Sequence, residues 1–542
     1  MKKVLSIVLT VVLLASAFSA CGTKPAEKVD NDNANQTTTA PTDAGTPADE
    51  GTPAETNEID ISKPVTLKWY LHGSNVTDDK DVLAKANEYL KEKLNVTIEP
   101  IWGTWGDFDT NAVLAINGGD DVDIYFTCSW TANEYSSFAK KGAWLLLDDP
   151  ANNLIEKYAK EYWDLLPPVL TNGAKVNGIN GYGTYGVPGY KDSAVQNCWD
   201  INVPLLEKYG YTVDDIKNTD YYGFGEILAK VKAGEGADFY PLLVEGAVLE
   251  RMVNNTFIVT GDAGTNNIFS SYFNPTDPSV AANGDEILNK FATPEYKKFV
   301  EKSREYYLAG YIDPAMANPS QANDTRTNKQ LTGEYLIGTQ SYSLGYEHQA
   351  TGERGFKVAM VPTTPAFVDT TTSQGALMAI SSTSKNPERA LMFLNLLNTD
   401  PYLMTLLNFG IEGEHYNIVN GEAIFTKTRD LYKPWTNGMG NITQLPPLEG
   451  QGADFQETFK AYYGSAKEIS ILGFMFDQTP VINEMGALAN VAGEYALALS
   501  TGYVDPAKAL PEFLKKLDDN GMAKVVDEAN KQLDTFMAEK NK

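Results

Sequence analysis

The segment SSTSKNPERALMFLNLLNTDPYLMTLLNFGIEGEHY, residues 381–416, carries the clearest helix start and stop signals in the chain. Asn386 before Pro387 favours a helix start, because the Asn side chain can accept from the first free amides and Pro loses no hydrogen bond at the first helical position. Asp400 before Pro401 repeats that signal, so the first helix is predicted to end just before it. Gly410 is predicted to end the second helix. The segment therefore predicts two short helices and a polar turn.

Strand and helix patterns alternate in the first part of the chain. Runs rich in β-branched and aromatic residues at 65–71, 96–101 and 121–126 predict strands, and apolar residues at helical spacing predict helices at 81–94 and 107–116. Strands that alternate with helices indicate an α/β fold with a mostly parallel sheet. Because ligand groups in such sheets lie at the carboxyl ends of the strands, the loops after the first and third strands are expected at one rim.

A second alternating unit follows. Residues 181–190 are rich in Gly and Pro and are predicted to leave the first unit. A helix pattern at 202–210 and a strand pattern at 239–244 begin the second unit, and the tail at 505–537 is amphipathic and helical. The chain is thus predicted to form two α/β units with a helical C-terminal region.

Composition excludes some classes of function. The 542 residues are 43% hydrophobic and 21% charged, with 29 Tyr, 22 Phe, 8 Trp and only 3 His. Such a chain is long enough for more than one packing unit. The formal net charge of −27 disfavours nucleic acid and anionic lipid headgroups as partners.

The N-terminus indicates export. Residues 1–20 combine a basic start with a short apolar stretch, as a signal peptide does. Cys21 follows small residues, as in a bacterial lipobox, although Phe18 stands where Leu is usual; ordinary cleavage with an incidental Cys21 is the alternative. Residues 21–60 lack aromatic residues after the cysteine and are predicted to be a disordered tether behind a lipid anchor.

Two further cysteines leave a question open. Cys128 and Cys198 can form a disulfide outside the cell or remain two separately buried thiols. Their spacing fits no metal motif, so neither a metal site nor a cofactor is predicted.

Several motifs carry a resemblance to a known family. They are the lipobox, DVDIYF, GYGTYGVP, SSTSKNPERALMFLN, NFGIEGEHY and DPAKALPEFLKKLDDNGMAKVV. Across residues 61–542 the chain resembles extracellular solute-binding lipoproteins of ABC importers, of the carbohydrate-binding class that includes maltose-binding proteins. Within that class it resembles the long lipoprotein subgroup of Firmicutes.

The resemblance implies two α/β lobes with a ligand cleft between them, and chain crossings near Tyr190, Phe356 and Asp400. The implied N-terminal lobe is 61–190 plus 357–400, and the implied C-terminal lobe is 191–356 plus 401–542. Lobe closure around a ligand gives a shape that a permease distinguishes from the open form.

Sugar binding needs aromatic faces and polar side chains at the ring edge. Carried over onto this sequence, the resemblance implies these ligand-binding residues: His72, Ser74, Asn75, Ser129, Trp130, Tyr190, Trp199, Glu245, Gln340, Tyr342 and Trp435. Core packing is the alternative for Trp130 and Trp435, and a salt bridge or a helix cap is the alternative for Glu245. The turn with Glu412, Glu414 and His415 is predicted to be structural.

The resemblance implies a monomeric, non-enzymatic binding subunit that captures a carbohydrate and delivers it to ABC transporter permease subunits. A binding protein for peptides or another non-sugar solute is one alternative. An extracellular glycosidase is the other, but nothing in the sequence places two carboxylates at the separation that hydrolysis needs. No catalytic residue is therefore predicted.

Overall fold

The structure is a computed structural model that describes residues 60–104, 106–194, 196–254, 256–258, 270–274, 277–281 and 286–540. The predicted signal peptide and Cys21 lie outside these ranges, as does the tether up to residue 59. None of the helices in these ranges has the length and apolar content that crossing a bilayer requires.

Strands and helices alternate along the described chain, as predicted. The strands are β1 (Val65–Val76), β2 (Val96–Gly103), β3 (Ile124–Thr127), β4 (Lys175–Gly178), β5 (Gly181–Thr184), β6 (Val187–Pro188), β7 (Asn197–Asn202), β8 (Leu242–Leu243), β9 (Thr256–Ile258), β10 (Ser270–Asn274), β11 (Asp277–Ala281), β12 (Ile337–Ser341), β13 (Val358–Pro362), β14 (Phe367–Val368), β15 (Leu377–Ile380), β16 (Tyr416–Val419), β17 (Glu422–Phe425), β18 (Tyr432–Pro434) and β19 (Lys467–Glu468).

The α-helices are α1 (Lys80–Leu94), α2 (Phe108–Gly118), α3 (Tyr135–Lys140), α4 (Leu154–Tyr158), α5 (Lys160–Leu165), α6 (Pro168–Gly173), α7 (Val203–Lys208), α8 (Val213–Lys217), α9 (Gly225–Glu235), α10 (Gly246–Asn254), α11 (Pro294–Leu308), α12 (Ala322–Thr332), α13 (Tyr346–Arg354), α14 (Thr370–Ser373), α15 (Pro387–Thr399), α16 (Pro401–Phe409), α17 (Phe455–Gly464), α18 (Ile482–Ser500), α19 (Pro506–Asp519) and α20 (Met522–Lys540). The predicted helical tail is confirmed in α19 and α20.

The first large sheet has the strand order β18-β1-β3-β15-β6. β2 also pairs with β1, along Val65 to His72. β1 runs parallel to β2 and β3, as the alternation predicts, whereas β15 runs antiparallel to β3 and β18 antiparallel to β1. Successive residues of β1 from Trp69 to Gly73 are all buried, which is typical of a strand covered on both faces.

The second large sheet has the order β13-β7-β12-β8. Only β8 and β12 run parallel; β7 is antiparallel to both of its neighbours. The expectation of a mostly parallel sheet is met only by the first three strands. β15 and β18 add antiparallel pairings to the first sheet, and the second sheet is largely antiparallel as well.

Two strands pair across the predicted lobe boundaries. β13 begins the segment assigned to the N-terminal lobe but pairs with β7, and β18 belongs to the segment assigned to the C-terminal lobe but pairs with β1. The chain does pass from the first sheet at β6 to the second at β7, on either side of the predicted crossing near Tyr190. The lobe boundaries themselves stay a prediction.

The helix pair predicted from residues 381–416 is present as α15 and α16. Asn386 precedes α15 but its side chain makes no capping hydrogen bond, so the capping part of that prediction is wrong. Asp400 does cap α16, since its carboxylate accepts from the Leu403 amide at 2.8 Å. α15 buries an apolar face, on which Phe393 meets the Trp69 ring edge-on at 5.4 Å. The pair therefore anchors against the first sheet.

The turn after α16 is closed by its own histidine. His415 is buried, and its Nδ1 accepts a hydrogen bond from the Ile411 amide at 3.0 Å. Gly410 has φ 87°, and a Cβ there would lie 2.7 Å from the His415 ring. The histidine therefore has a structural task, as predicted for this turn.

Gly410→Ala is expected to destabilise the protein by more than the roughly 1–3 kcal/mol that a rarely populated backbone conformation costs, because it adds a clash with His415. Gly413→Ala is the matched control: Gly413 has φ 82°, but nothing lies within 4 Å of its Cβ position. Urea unfolding midpoints measure both. Equal losses in the two variants would contradict the packing argument.

Cys128 and Cys198 are both free, buried thiols. Cys128 follows β3 in the first sheet, whereas Cys198 lies within β7 of the second. Burial raises the pKa of Cys128 to about 12, so this thiol is unreactive near neutral pH. The disulfide alternative is not realised in this structure.

Candidate functional site

The carboxyl ends of β1 and β3 meet at a group of rings that we call the aromatic cluster: His72, Phe108, Phe126, Trp130 and Trp435. His72 stacks on Phe108 with centroids 4.1 Å apart, and the Trp435 ring lies edge-on to His72 at 6.0 Å. Trp130 and Trp435 meet edge-on at 5.6 Å. Both tryptophans are only partly buried. The cluster therefore offers aromatic surface at the predicted rim of the sheet.

Strand pairing explains how Trp435 reaches this place. β18 pairs antiparallel with the end of β1, with Gly73 opposite Pro434. The next residue, Trp435, is thereby brought beside His72 from more than 350 positions away in the sequence. The prediction named both residues, and the structure brings them together.

The polar atoms of the loop after β3 are already engaged. The Ser129 hydroxyl donates to the Thr371 carbonyl at 3.0 Å, and the Trp130 indole N–H donates to the Gly375 carbonyl at 3.1 Å. Ser129 is also 4% exposed. The second bond holds the Trp130 ring in one orientation, and the first engages the buried Ser129 hydroxyl within the protein.

Two other predicted residues lie apart from the aromatic cluster. Tyr190 is buried beside Phe459, with ring centroids 6.3 Å apart. Trp199 is buried in β7, where it stacks on Tyr221 at 6.4 Å and meets Phe224 edge-on at 5.0 Å. Its contacts are those of a core residue of the second sheet.

A polar group occupies the end of β12 in the second sheet. Glu245 pairs with Arg326 at 3.2 Å, and Arg326 also donates to the Gln340 side chain at 3.4 Å. The Glu245 side chain is 45% exposed. The salt bridge that was the alternative for Glu245 is present, and exposure leaves its other carboxylate positions open to a ligand.

Tyr342 begins a second aromatic face next to that group. Its ring lies 6.0 Å from Tyr462, and its amide donates to the Gln196 carbonyl at 2.7 Å. The Tyr462 hydroxyl donates to the Gln196 side chain. The sequence analysis missed Arg326, Tyr462 and Gln196, since nothing local marks a residue on α12, on α17 or in a loop as a neighbour of β12.

Three predicted residues have no side-chain description. Ser74 and Asn75 belong to β1 by their backbone, with Asn75 opposite Lys433 of β18, but their side chains lie outside the described part of the structure. Cys21 lies outside it entirely. Their roles stay predictions.

A cavity of about 270 Å³ is lined by residues that directly follow Tyr342 and by residues that directly follow Trp435 of the aromatic cluster. One wall comes from residues 343–346, which follow Tyr342, and another from Thr436 and Asn437, which follow Trp435. Asp192, on the passage from β6 to β7, also lines it. This cavity thus joins the neighbourhoods of the first and second sheets.

The burial of His72 makes the folding stability of the protein sensitive to acid. Removal from water lowers the pKa of His72 below its usual value, although Asp109 and Asp107 oppose this. The unfolded chain then binds a proton more readily than the folded one, so His72 costs stability as the pH falls below about 6.5.

His72→Gln is therefore expected to flatten the loss of thermal stability between about pH 7 and pH 5. The melting temperature measured over that range checks this. His348→Gln, which changes an exposed histidine of α13, is the control and is expected to keep the wild-type slope. A wild-type slope in the His72 variant would show that this imidazole does not govern acid sensitivity.

The chain is similar over most of its length to known binding proteins of ABC transporters. The chain is 28% identical, over 483 residues, to a carbohydrate ABC transporter substrate-binding protein of Streptococcus pneumoniae, covering 88% of this chain and 92% of the relative. The crystal structure of the N-glycan transport solute-binding protein NgtS from the same species matches with a TM-score of 0.72 and 27% identity, over 88% of this chain and 100% of that one.

The predicted resemblance to carbohydrate-binding solute-binding proteins of ABC importers is confirmed. The chain has the two-lobe fold of extracellular solute-binding proteins, with a helical C-terminal region. The alginate-binding protein AlgQ2 shares the fold alone, with a TM-score of 0.53 and 16% identity over 87% of this chain and 98% of that chain. Residues 470–538 match a family described as a domain of unknown function, DUF3502.

No group of three or more His, Cys, Asp or Glu side chains in the described residues is placed to hold a metal ion. The relatives named above are binding proteins by their descriptions.

Proposed function

We propose that this protein is the substrate-binding subunit of an ABC importer that captures an oligosaccharide in the cleft between its lobes. The observation that carries the proposal is the similarity to NgtS, which extends over 88% of this chain. NgtS has also been solved in complex with Man5GlcNAc and with Man1GlcNAc. The ligand proposed here is a glycan of that class.

The aromatic cluster and the polar group at the end of β12 together supply what sugar recognition needs. The aromatic cluster presents the partly exposed rings of Trp130 and Trp435, which suit the C–H face of a pyranose. Glu245, Arg326 and Gln340 supply charged and polar groups that replace water on the hydroxyls.

Lobe closure is part of the proposal. The TM-score is 0.72 against the NgtS structure described without a glycan, and 0.62 against each of the two complexes. A difference of this kind is expected if the lobes rotate around a bound glycan, since rotation changes the overlay of one lobe when the other is matched. The closed form is the shape that the permease subunits are proposed to engage.

Attachment to the membrane completes the proposal. We infer that residues 1–20 direct export, that Cys21 carries the lipid, and that the monomeric protein works on the outer face of the cell membrane. The charge of −27 opposes direct binding to anionic headgroups, so the lipid rather than the protein surface supplies the attachment. Loss of membrane association in a Cys21→Ala variant, measured by cell fractionation, tests this.

A thermal-shift screen tests the function. High-mannose N-glycans, plant and milk oligosaccharides, and peptides of matched length are added to the full chain at increasing concentration. A ligand that binds only the folded protein raises the melting temperature in proportion to the logarithm of its concentration. Stabilisation by peptides and by no glycan would overturn the carbohydrate proposal. Release of reducing ends from a glycan would overturn the binding-protein proposal in favour of hydrolysis.

A further inference from the structure

Arg429 stands out among the residues that line the 270 Å³ cavity. The residue is 6% exposed, and its Nη2 donates to the carbonyl of Asn408 at the end of α16 at 3.0 Å. Its Nε and Nη1 are buried and find no acceptor in the described structure. The guanidinium thus has two donors without a partner at a cavity wall.

Tyr432 and Asp430 offset part of the cost of burying its charge, but no ion pair among the described residues does. No carboxylate of the described residues lies within ion-pair distance of Arg429, although the chain contains 71 acidic residues. The neighbouring Asp430 pairs with Lys433, and Asp192 on the cavity wall pairs with Lys191. The rings of Phe425 and Tyr432 lie 5.0 and 6.0 Å from the guanidinium carbon. Burial lowers the pKa of Arg429 to about 10, which reflects the cost of holding this charge away from water.

A second unpartnered atom belongs to the same cavity. Gln456 uses its amide N–H to bond the Leu445 carbonyl at 2.9 Å, while its buried Oε1 accepts no hydrogen bond in the described structure. An occupant that reaches both side chains can offset the two unmade bonds by accepting from Arg429 and donating to Gln456. A carboxylate on a hydroxylated ring does both, whereas a neutral sugar leaves the charge unmatched.

We propose that this cavity receives the carboxylate of an acidic sugar at one end of the bound glycan, with Arg429 as its counter-charge. The inference rests on the proposed function and narrows its ligand. A volume of about 270 Å³ lies just below the range for drug-sized ligands, which suits one terminal ring. The planar guanidinium fork matches a carboxylate in geometry as well as in charge.

Isothermal titration of the full chain tests the proposal. Three probes are compared: a neutral biantennary N-glycan, the same glycan with terminal sialic acid, and the same glycan with terminal glucuronic acid. At least one acidic form is expected to bind tenfold or more tightly than the neutral form. Arg429→Met is expected to reduce that preference below twofold.

Two further variants distinguish a loss of the charge contact from misfolding of the Arg429→Met variant. Arg389→Met is the matched control, because Arg389 is also buried with an unpartnered Nε but does not line the cavity; it is expected to keep the preference. Gln456→Glu leaves the Arg429 side chain in place and adds a carboxylate to the cavity, so it is expected to abolish the preference by repelling the acidic ring.

The outcomes separate the two proposals. Equal wild-type affinity for the neutral glycan and both acidic forms, or a preference that survives both Arg429→Met and Gln456→Glu, would overturn the acidic-sugar inference and leave the proposed function standing. Absence of binding to every glycan, acidic or neutral, would overturn the proposed function itself and the inference with it.

Discussion

Trp130→Ala and Trp435→Ala are each expected to weaken glycan binding roughly 30-fold, which corresponds to about 2 kcal/mol of binding free energy. The two rings are partly exposed at the end of the first sheet and meet at 5.6 Å. Each is held in place, Trp130 by the bond from its indole N–H to Gly375 and Trp435 by the pairing of β18 with β1. A pre-positioned ring binds without the entropy cost of being ordered by the ligand.

Titration of a glycan identified by the thermal-shift screen measures this effect. Trp163→Ala is the control, because Trp163 is a partly buried tryptophan of α5 outside the aromatic cluster and is expected to leave the affinity unchanged. Trp130→Phe keeps a flat ring and is expected to lose less affinity than Trp130→Ala. If both alanine variants bind as the wild type does, the aromatic cluster is core packing and not a sugar platform.

Arg354→Met is expected to destabilise the protein by about 3–5 kcal/mol. Asp200 of β7 is 0% exposed and accepts from Arg354 at 2.8 Å, from the Tyr335 hydroxyl at 2.9 Å and from Gln330 at 2.9 Å. Removing the guanidinium leaves a carboxylate buried in the second sheet without its counter-charge, and the two neutral donors do not replace it.

Guanidinium-induced unfolding, followed by tryptophan fluorescence, measures the loss. Lys160→Met is the control, since Lys160 pairs with Asp164 at 3.0 Å on a surface helix where both side chains are more than half exposed. Such a pair contributes at most about 1 kcal/mol. The double variant Arg354→Met with Asp200→Leu removes both buried charges and is expected to recover part of the lost stability. A loss in Arg354→Met no larger than in the control would show that the buried pair is not a stability determinant.

The local patterns predicted the elements of this fold well. Helix signals at Pro387, Asp400 and Gly410 mark the actual bounds of α15 and α16 to within one residue. These signals act over four residues or fewer, so the sequence contains all of their cause. The side-chain cap expected from Asn386 is absent, because a cap needs a backbone geometry that its neighbours also determine.

The candidate site was predicted less completely. His72, Trp130 and Trp435 meet in the aromatic cluster, whereas Trp199 is buried in the core of the second sheet. A tryptophan within a strand pattern has the same sequence signature whether its face is covered by a helix or open to a cleft. Arg429 is a further example, since nothing in its sequence neighbourhood indicates a buried cation without a carboxylate partner.

The sequence by itself determined the alternation of strands and helices, the helix pair at residues 381–416 and the resemblance to solute-binding proteins, because these depend on local chemistry and on motifs. Only the tertiary structure decided that β13 and β18 pair across the predicted lobe boundaries, that the second sheet is largely antiparallel and that Arg429 lines a cavity. These outcomes depend on contacts between residues far apart in the chain. Such contacts are chosen by the burial of whole faces, which no local pattern encodes.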